Sequence, residues 1–562
     1  MTDFINHKHL IHYRISEYQV RVFFWILALG FAGANAYTSR YFINDDAIVY
    51  IEIGEAIKQF RWHDVANFTF SPLYASLIAM FQSIFRLNAL NEIMWLKLLN
   101  YIIFVSALGA LEVLLRFLKN EYRTMVDCGG SPLPWPFIQA LLYSTFLATA
   151  LISVRVRLIN PDMLVFCLLL LCFSVLMWIR ENPNRFYKFV ILGCLTGLGY
   201  LSKAFVFLFS PVLLIMAAIA VGSLKKCLPR IALAALFLIL TIGPLVAALS
   251  LKKGSFTYGE GGRHVYSILI GGHGTPVNQG KVLDVENKVV VYEYGDVCTR
   301  PFSFDVCYWT IGINPSYDNV AHLKLFLTNL LEIVSQSRWL SAIIAWAIFQ
   351  IYLGSYQVGS LKPISLTILF IVPAICGIFL FALISMEPRY IAPFLFLGSV
   401  GLIMGIGWGK NQKVFLKLGI SDLGVLALVL FMIVSILQSS VDQAIRGLWF
   451  ENGKISYRQS FEDQISVSNF LATKGVTCGD HVAVLGNSSI QWARMAKVRV
   501  TGEIEDPEKF FKITKAQRTK SLTLLKNEGI KAVIAQRKEC SRLTDEGWVL
   551  IPQTETFYAR LL

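Results

Sequence analysis

The sequence predicts a polytopic α-helical membrane protein with a small α/β domain at its C-terminal end. Three observations predict it. Of 562 residues, 55% are hydrophobic and only 16% are charged, whereas soluble chains carry charges at about a quarter of their positions. The mean hydropathy is +0.56, and apolar runs of membrane-spanning length recur through most of the chain. Beyond residue 440 the pattern changes to short apolar runs separated by polar helical stretches, as in α/β domains. The formal net charge of +14 fits Lys and Arg in cytoplasmic loops, and no nucleic-acid partner is expected.

About eleven spans are expected from apolar length. They lie near Val22–Tyr37, Met94–Leu115, Leu133–Leu151, Met163–Ile179, Phe189–Leu201, Ala204–Val221, Ile231–Ala248, Trp339–Leu353, Ile364–Ile384, Ile391–Trp408 and Leu423–Leu437. The first run follows polar residues and lacks a small-residue cleavage site, so it reads as a retained span. Cations alternate between loops: Lys8, Arg14 and Arg21, then Arg116, Lys119 and Arg123, then Arg180, Arg185 and Lys188, then Lys225, Lys226 and Arg230, and later Lys362, Lys410, Lys413 and Lys417. That asymmetry places the N-terminus in the cytoplasm, and an odd number of spans places the C-terminal domain outside. The expected location is the inner membrane of the cell.

Three outer segments are too long to be simple connectors. In residues 40–92, Val49, Ile53, Ala56, Ile57 and Phe60 recur at helical spacing, with Glu52, Glu55 and Lys58 elsewhere on the cylinder. This reads as a helix lying in the membrane interface, with Trp62 and Tyr74 at the same depth. Residues 252–338 contain a predicted hairpin, Val282–Val285 and Val289–Tyr292, and a helical stretch from Asn319 to Ser335. Residues 441–562 form the α/β domain, with strands expected at Val482–Leu485, Val498–Ile504, Ile530–Ala535 and Trp548–Pro552 and a helix at Ser488–Lys497. The transmembrane unit is then 1–440. Of ten cysteines, Cys298 with Cys307 and Cys478 with Cys540 fall outside, where a bridge in at least one pair is expected.

The candidate site is built from ions at the outer ends of the spans, because charge there is costly unless used. Asp45 and Asp46 stand together just after the first span. Lys97, Arg155, Arg157, Asp162, Lys203, Glu387, Arg389 and Tyr390 occupy other outer ends. Such cations converge on an anion at the outer leaflet, and a lipid phosphate is the obvious one. Each residue also has a plain explanation. Asn44-Asp45-Asp46 is a good helix N-cap, Arg155 and Arg157 can snorkel to headgroups, Arg389 can pair with Glu387, Lys203 can cap its helix, and Lys97 suits an interfacial anchor. Gly259-Glu260-Gly261-Gly262-Arg263-His264 and Gly271–Gly274 are Gly-rich but lack the Gly-Lys-Ser/Thr of a nucleotide loop. His264, His273, Cys298 and Cys307 match no standard zinc spacing. Gly486-Asn487-Ser488-Ser489 reads as a structural turn.

The order and sidedness of four segments resemble the GT-C fold glycosyltransferases that use polyprenyl-phosphate sugars, closest to the protein O-mannosyltransferase and lipid A aminoarabinose transferase group. The segments are Asp45-Asp46 with Ser71-Pro72-Leu73-Tyr74, Arg157 to Asn160-Pro161-Asp162-Met163, Gly197-Leu198-Gly199-Tyr200-Leu201-Ser202-Lys203, and Glu387-Pro388-Arg389-Tyr390 with Pro393. The resemblance covers roughly the first 400 residues. Many members have Asp-Glu where this chain has Asp45-Asp46. The resemblance implies transfer of a sugar from a polyprenyl-phosphate donor to a hydroxyl of a lipid, glycan or protein, with inversion. Asp45 would be the general base and Asp46 would orient it, while Arg389, Lys203 and one or both of Arg155 and Arg157 would stabilise the leaving phosphate. It implies no metal, although adjacent carboxylates can hold a divalent cation. The competing class is a transporter or flippase of lipid-linked sugars, which would more often show polar breaks at mid-membrane and internal repeats. A third is a structural subunit whose external domain recruits partners.

Overall fold

The computed structural model describes residues 16–127, 133–222, 224–270, 281–292, 298–300, 304, 317–336, 338–352, 361–405, 415–448, 456–486 and 490–562. In chain order the first elements are α1 (Glu17–Thr38), α2 (Asp45–Lys58), the single turn α3 (Trp62–Val65), α4 (Pro72–Phe85), α5 (Glu92–Asp127) and α6 (Trp135–Leu147), which runs on as a π-helical stretch, Ala148–Val154. There follow α7 (Asp162–Glu181), α8 (Tyr187–Ser202), α9 (Phe205–Val221), α10 (Leu224–Lys253), α11 (Gly261–Leu269), strands β1 (Lys281–Asp284) and β2 (Val289–Val291), α12 (Asn319–Gln336), α13 (Arg338–Tyr352), α14 (Leu361–Ala382), α15 (Pro388–Gly405) and α16 (Phe415–Leu448). The last part holds α17 (Tyr457–Thr473), β3 (His481–Leu485), α18 (Gln491–Ala496), β4 (Arg499–Ile504), α19 (Pro507–Lys512), α20 (Lys515–Asn527), β5 (Ala532–Gln536), β6 (Trp548–Leu550) and β7 (Phe557–Leu561).

Each expected span coincides with a helix, in α1, α5 to α10 and α13 to α16. Among the described residues, seven helices are long and apolar enough to cross a membrane, and Tyr187–Ser202, Phe205–Val221 and Leu366–Ala382 are shorter apolar helices. Small residues let them pack closely. A Cβ on Gly193 would meet the Ala234 carbonyl oxygen at 2.2 Å, and one on Gly197 would meet Thr241 at 2.6 Å, so α8 lies directly against α10. Gly377 admits the Phe394 ring between α14 and α15 in the same way.

The C-terminal domain and the loop segment 281–291 share one sheet, in the order β1-β2-β4-β3-β5-β7-β6. β4, β3 and β5 are parallel at its centre, β2 joins β4 antiparallel, and β7 joins β5 antiparallel. The predicted hairpin is therefore an edge of the C-terminal sheet. β7 was not expected from the sequence. Alternation along β3 divides the cores: Val482 and Val484 face one side with Trp492 and Leu471, while Ala483 and Leu485 face the other with Leu522, Phe510 and Trp548. The start of the predicted helix at Ser488 lies outside the described residues. Cys478 is exposed and Cys540 is buried in the second core, both as free thiols, so no bridge joins them. Cys307 lies outside the described residues.

α2 differs from the expected interfacial helix. Of the expected apolar face Val49, Ile53 and Ala56 are buried and Phe60 is exposed, while Glu52 is covered by protein and Glu55 is half-buried. Ile48 enters the core of the C-terminal domain. The Glu52 carboxylate accepts the Thr299 backbone N–H at 2.7 Å. Arg494 of α18 forks onto Glu92 (Nε to Oε1, 2.6 Å) and Glu55 (Nη2 to Oε1, 2.7 Å). Tyr74, expected at the interface, is fully buried and donates to Asn100 Oδ1 at 2.7 Å, whereas Trp62 is exposed.

Two consequences are measurable. Arg494→Met leaves Glu92 buried without its cation, which costs about 3–5 kcal/mol. Thermal unfolding in detergent and protease release of the C-terminal domain should both move to milder conditions. Burial raises the Glu52 carboxyl to about 7, against the lowering influence of Arg494 and the Thr299 N–H. A raised value means that the folded chain binds this proton more tightly than the unfolded chain. The stability it contributes is full below the ordinary carboxyl value of 4.5 and is lost as pH rises through about 7. Glu52→Gln keeps the acceptor and should flatten that fall between pH values of about 5 and 8.

Candidate active site

Four helix ends meet at one cavity of about 600 Å³. Asp46 lies in the first turn of α2, Asp162 opens α7, Lys203 ends α8, and Arg389 with Tyr390 opens α15. A carboxylate at the start of α7 is favoured by the helix dipole, whereas a cation at the start of α15 is not. Arg389 therefore depends on its carboxylate partners. Its Nη1 and Nη2 each lie 3.4 Å from Asp46 Oδ2, and its Nε lies 3.6 Å from Asp162 Oδ2. Lys203 Nζ donates to Asp162 Oδ1 at 2.5 Å and sits 3.4 Å from the centre of the Tyr390 ring. Asp162 is thus bound by both cations, although neither is near it in sequence. Arg389 pairs with these two acids and not with Glu387.

Asp45 is the first residue of α2, and its side chain lies outside the described residues. The expected capping by Asn44 is replaced by a longer reach. Its amide accepts from Ile159 N at 2.8 Å and donates to Ile159 O at 3.3 Å, which ties the start of α2 to the loop before α7.

Three cations placed in the site from sequence lie elsewhere. Lys97 is 1% exposed, and its ammonium donates to the Arg157 carbonyl. It holds backbone and does not anchor at the interface. Asn100, one turn on, donates to Val156 O at 3.0 Å and Leu158 O at 2.6 Å, a role the sequence did not signal. Arg155 and Arg157 line a separate cavity, and Arg157 donates to the Tyr457 hydroxyl at 2.9 Å. Glu387 is exposed and outside the lining of the first cavity.

The rest of the lining comes from α2 and from the Gly-rich segment Gly259–His264. Tyr200 donates to Tyr258 O at 2.8 Å, and Glu260 N donates to Phe68 O at 2.8 Å, so both α8 and the first outer loop hold this segment. Gly259 sits at φ +135°, which favours glycine. Glu260 pairs with Lys253 and accepts from Thr257 Oγ1 at 2.5 Å. Burial works to raise its carboxyl, but these hydrogen bonds hold it below its ordinary range. Burial lowers His264, and it holds the Tyr50 phenol well above its usual range, with Asp46 and Asp162 acting the same way. Of the four zinc candidates, His273 and Cys307 lie outside the described residues. Apolar walls of Phe205, Leu208, Leu380, Phe381 and Ile384 complete the cavity.

Among solved structures, the chain is similar to ArnT from Cupriavidus metallidurans bound to undecaprenyl phosphate, with a TM-score of 0.55 and 11% identity over 96% of this chain and 97% of that one. It is equally similar to the apo state of that protein, with a TM-score of 0.55 and 12% identity. The chain has the GT-C fold. The Archaeoglobus fulgidus oligosaccharyltransferase in complex with Zn and sulfate is a more distant neighbour, with a TM-score of 0.48 and 12% identity over 92% of this chain and 68% of that one. No family model and no curated protein matches the sequence. Within this GT-C fold the ionic cluster stands where α7, α8 and α15 end against α2 and the segment 259–264.

Asp162→Asn tests whether the cluster is held by that carboxylate. Lys203 and Arg389 would be left close together without their shared partner, at a cost of about 3 kcal/mol or more. A fall in melting temperature in detergent larger than that of Lys203→Gln is the expected result.

Proposed function

We propose that the chain is a membrane glycosyltransferase that moves a sugar from a polyprenyl-phosphate donor to an acceptor hydroxyl at the outer face of the membrane, with inversion. The observation that carries this reading is the composition of the cavity. Two carboxylates and two cations line one part of it, and apolar side chains line another. A lipid phosphate ester needs both surfaces. The likeness to ArnT bound to undecaprenyl phosphate, at the level of the fold, agrees with it.

The course of the helices supports that sidedness. α7 runs from Asp162 to Glu181, and α8 returns to end at Lys203. Arg180, Arg185 and Lys188 therefore mark the end opposite the site, and the positive-inside rule favours the cytoplasm for that end.

The acidic pair at the start of α2 takes the proton from the acceptor hydroxyl, and Asp46 lines the cavity. The acceptor oxygen then forms a bond to the anomeric carbon as the bond from that carbon to the phosphate oxygen breaks. The phosphate leaves with one more negative charge, next to Arg389 and Lys203. A carboxylate at a helix N-terminus is a weak base, so alignment of the acceptor must supply much of the rate.

Transfer from a panel of polyprenyl-phosphate sugars, measured in membranes, tests this reading. Asp45→Asn, Asp46→Asn and Arg389→Gln are compared with wild type after folding is checked. Loss of a charged group that acts in the transition state costs about 10²-fold or more. Full activity in Arg389→Gln would remove the leaving-group site, and full activity in both acid variants would remove the base.

A further inference from the structure

The loop before α7 has two sides. Asn160, Pro161 and Asp162 line the first cavity, whereas Arg155 and Arg157 line a second one, of about 420 Å³. The end of the π-helical stretch, the start of α13 and the last turns of α16 close it, through Trp339, Asp442, Gln443 and Arg446. π-helical turns recur at functional sites, and Arg155 directly after this one sits at φ +69°, where a non-glycine residue is strained.

Arg155 uses Nε on Ile152 O at 3.0 Å. Arg157 gives Nη1 to Tyr457, while its buried Nε has no hydrogen-bond partner among the described residues. Trp339 is 3% exposed, and its buried indole N–H is also without a partner among the described residues. Among the described residues, three guanidinium groups and one carboxylate, Asp442, line it. Like charges lining one cavity repel one another. An anion with several acceptor oxygens among the guanidiniums offsets that repulsion.

We infer that this second cavity binds a phosphate ester, at a site separate from the first ionic cluster. Planar guanidiniums suit phosphate oxygens. The ester belongs either to a lipid in the bilayer or to a phosphorylated glycan in solution. Binding is read without turnover, so the inference stands apart from the proposed transfer.

Arginine modification by phenylglyoxal, located by peptide mass spectrometry on the full chain in detergent, tests it. The probes are undecaprenyl monophosphate, phosphatidylglycerol, glucose 1-phosphate and inorganic phosphate. Protection of Arg155 and Arg446 is expected. If only the two lipids protect, the ester is a lipid's; if the soluble phosphates protect, it is a glycan's. Arg446→Gln removes one of the three guanidiniums, and it should raise the half-protecting concentration at Arg155 by about tenfold. Arg389 in the first cavity is read in the same digests. Protection at Arg389 without protection at Arg155 and Arg446 by any probe would overturn the second site and leave the first intact. Unchanged protection of Arg155 in Arg446→Gln would overturn it as a site built on these guanidiniums.

Discussion

The carboxylate of Asp162 is the point on which the site depends. It is buried, it opens α7, and its two oxygens face Lys203 and Arg389 from different helices. Two cations this close repel one another, and a single buried anion between them turns that repulsion into a joint. Arg389 also reaches Asp46, so α2, α7, the end of α8 and the start of α15 are fixed by one set of charges. Asp46 and Asp162 balance Lys203 and Arg389 in charge. On the proposed reading a phosphate would meet donors already pointed and partly desolvated, which is the condition under which electrostatic stabilisation is largest.

The loop of residues 155–161 is held with equal care. Lys97 and Asn100 of α5 take the carbonyls of Arg157, Val156 and Leu158, and Asn44 pairs with both backbone groups of Ile159. Irregular backbone among membrane helices needs such partners, since no bulk water is there to supply them. The result is a fixed wall with carboxylate chemistry on one side and guanidinium chemistry on the other. Orientation within a few tenths of an ångström is worth several kcal/mol to a reaction between two bound molecules. A wall satisfied along its whole backbone can provide that.

The spans were legible because apolar length is a local property, and the strands because alternation is. The expected hairpin at Val282–Tyr292 was read correctly, but its pairing with β4 was not, since no residue in Val289–Val291 encodes a partner more than two hundred positions away. β7 was missed because Phe557–Leu561 carries no β-branched residue. Ion pairs behave like strand partners. Lys203 and Asp162 were each visible as costly charges near span ends, yet their contact is set by how α7 and α8 pack. Lys97 misled because a Lys at a span end is usually an anchor, and only the three-dimensional path of residues 155–158 shows the carbonyl it serves. Arg155 and Arg157 were grouped with Arg389 by sidedness alone. Sidedness fixes the depth of a charge, not which face of a loop it takes.

α2 joins the membrane unit to the rest. Its first turn carries the acidic pair. Its later turns carry Ile48, Glu52 and Glu55, which meet the C-terminal core, the Thr299 backbone and Arg494. Thr299 O in turn accepts from Val500 N, and Tyr292 N donates to Thr501 O, so the outer loop and the sheet are one brace. A helix held only by its first turn would let Asp46 swing by the width of a side chain. A helix gripped two turns further along by a buried ion triad and a hydrophobic contact cannot, and sites carried on gripped helices are more exact than sites carried on loops. On this argument the C-terminal domain needs no chemistry of its own to matter for transfer: it sets where the carboxylates stand.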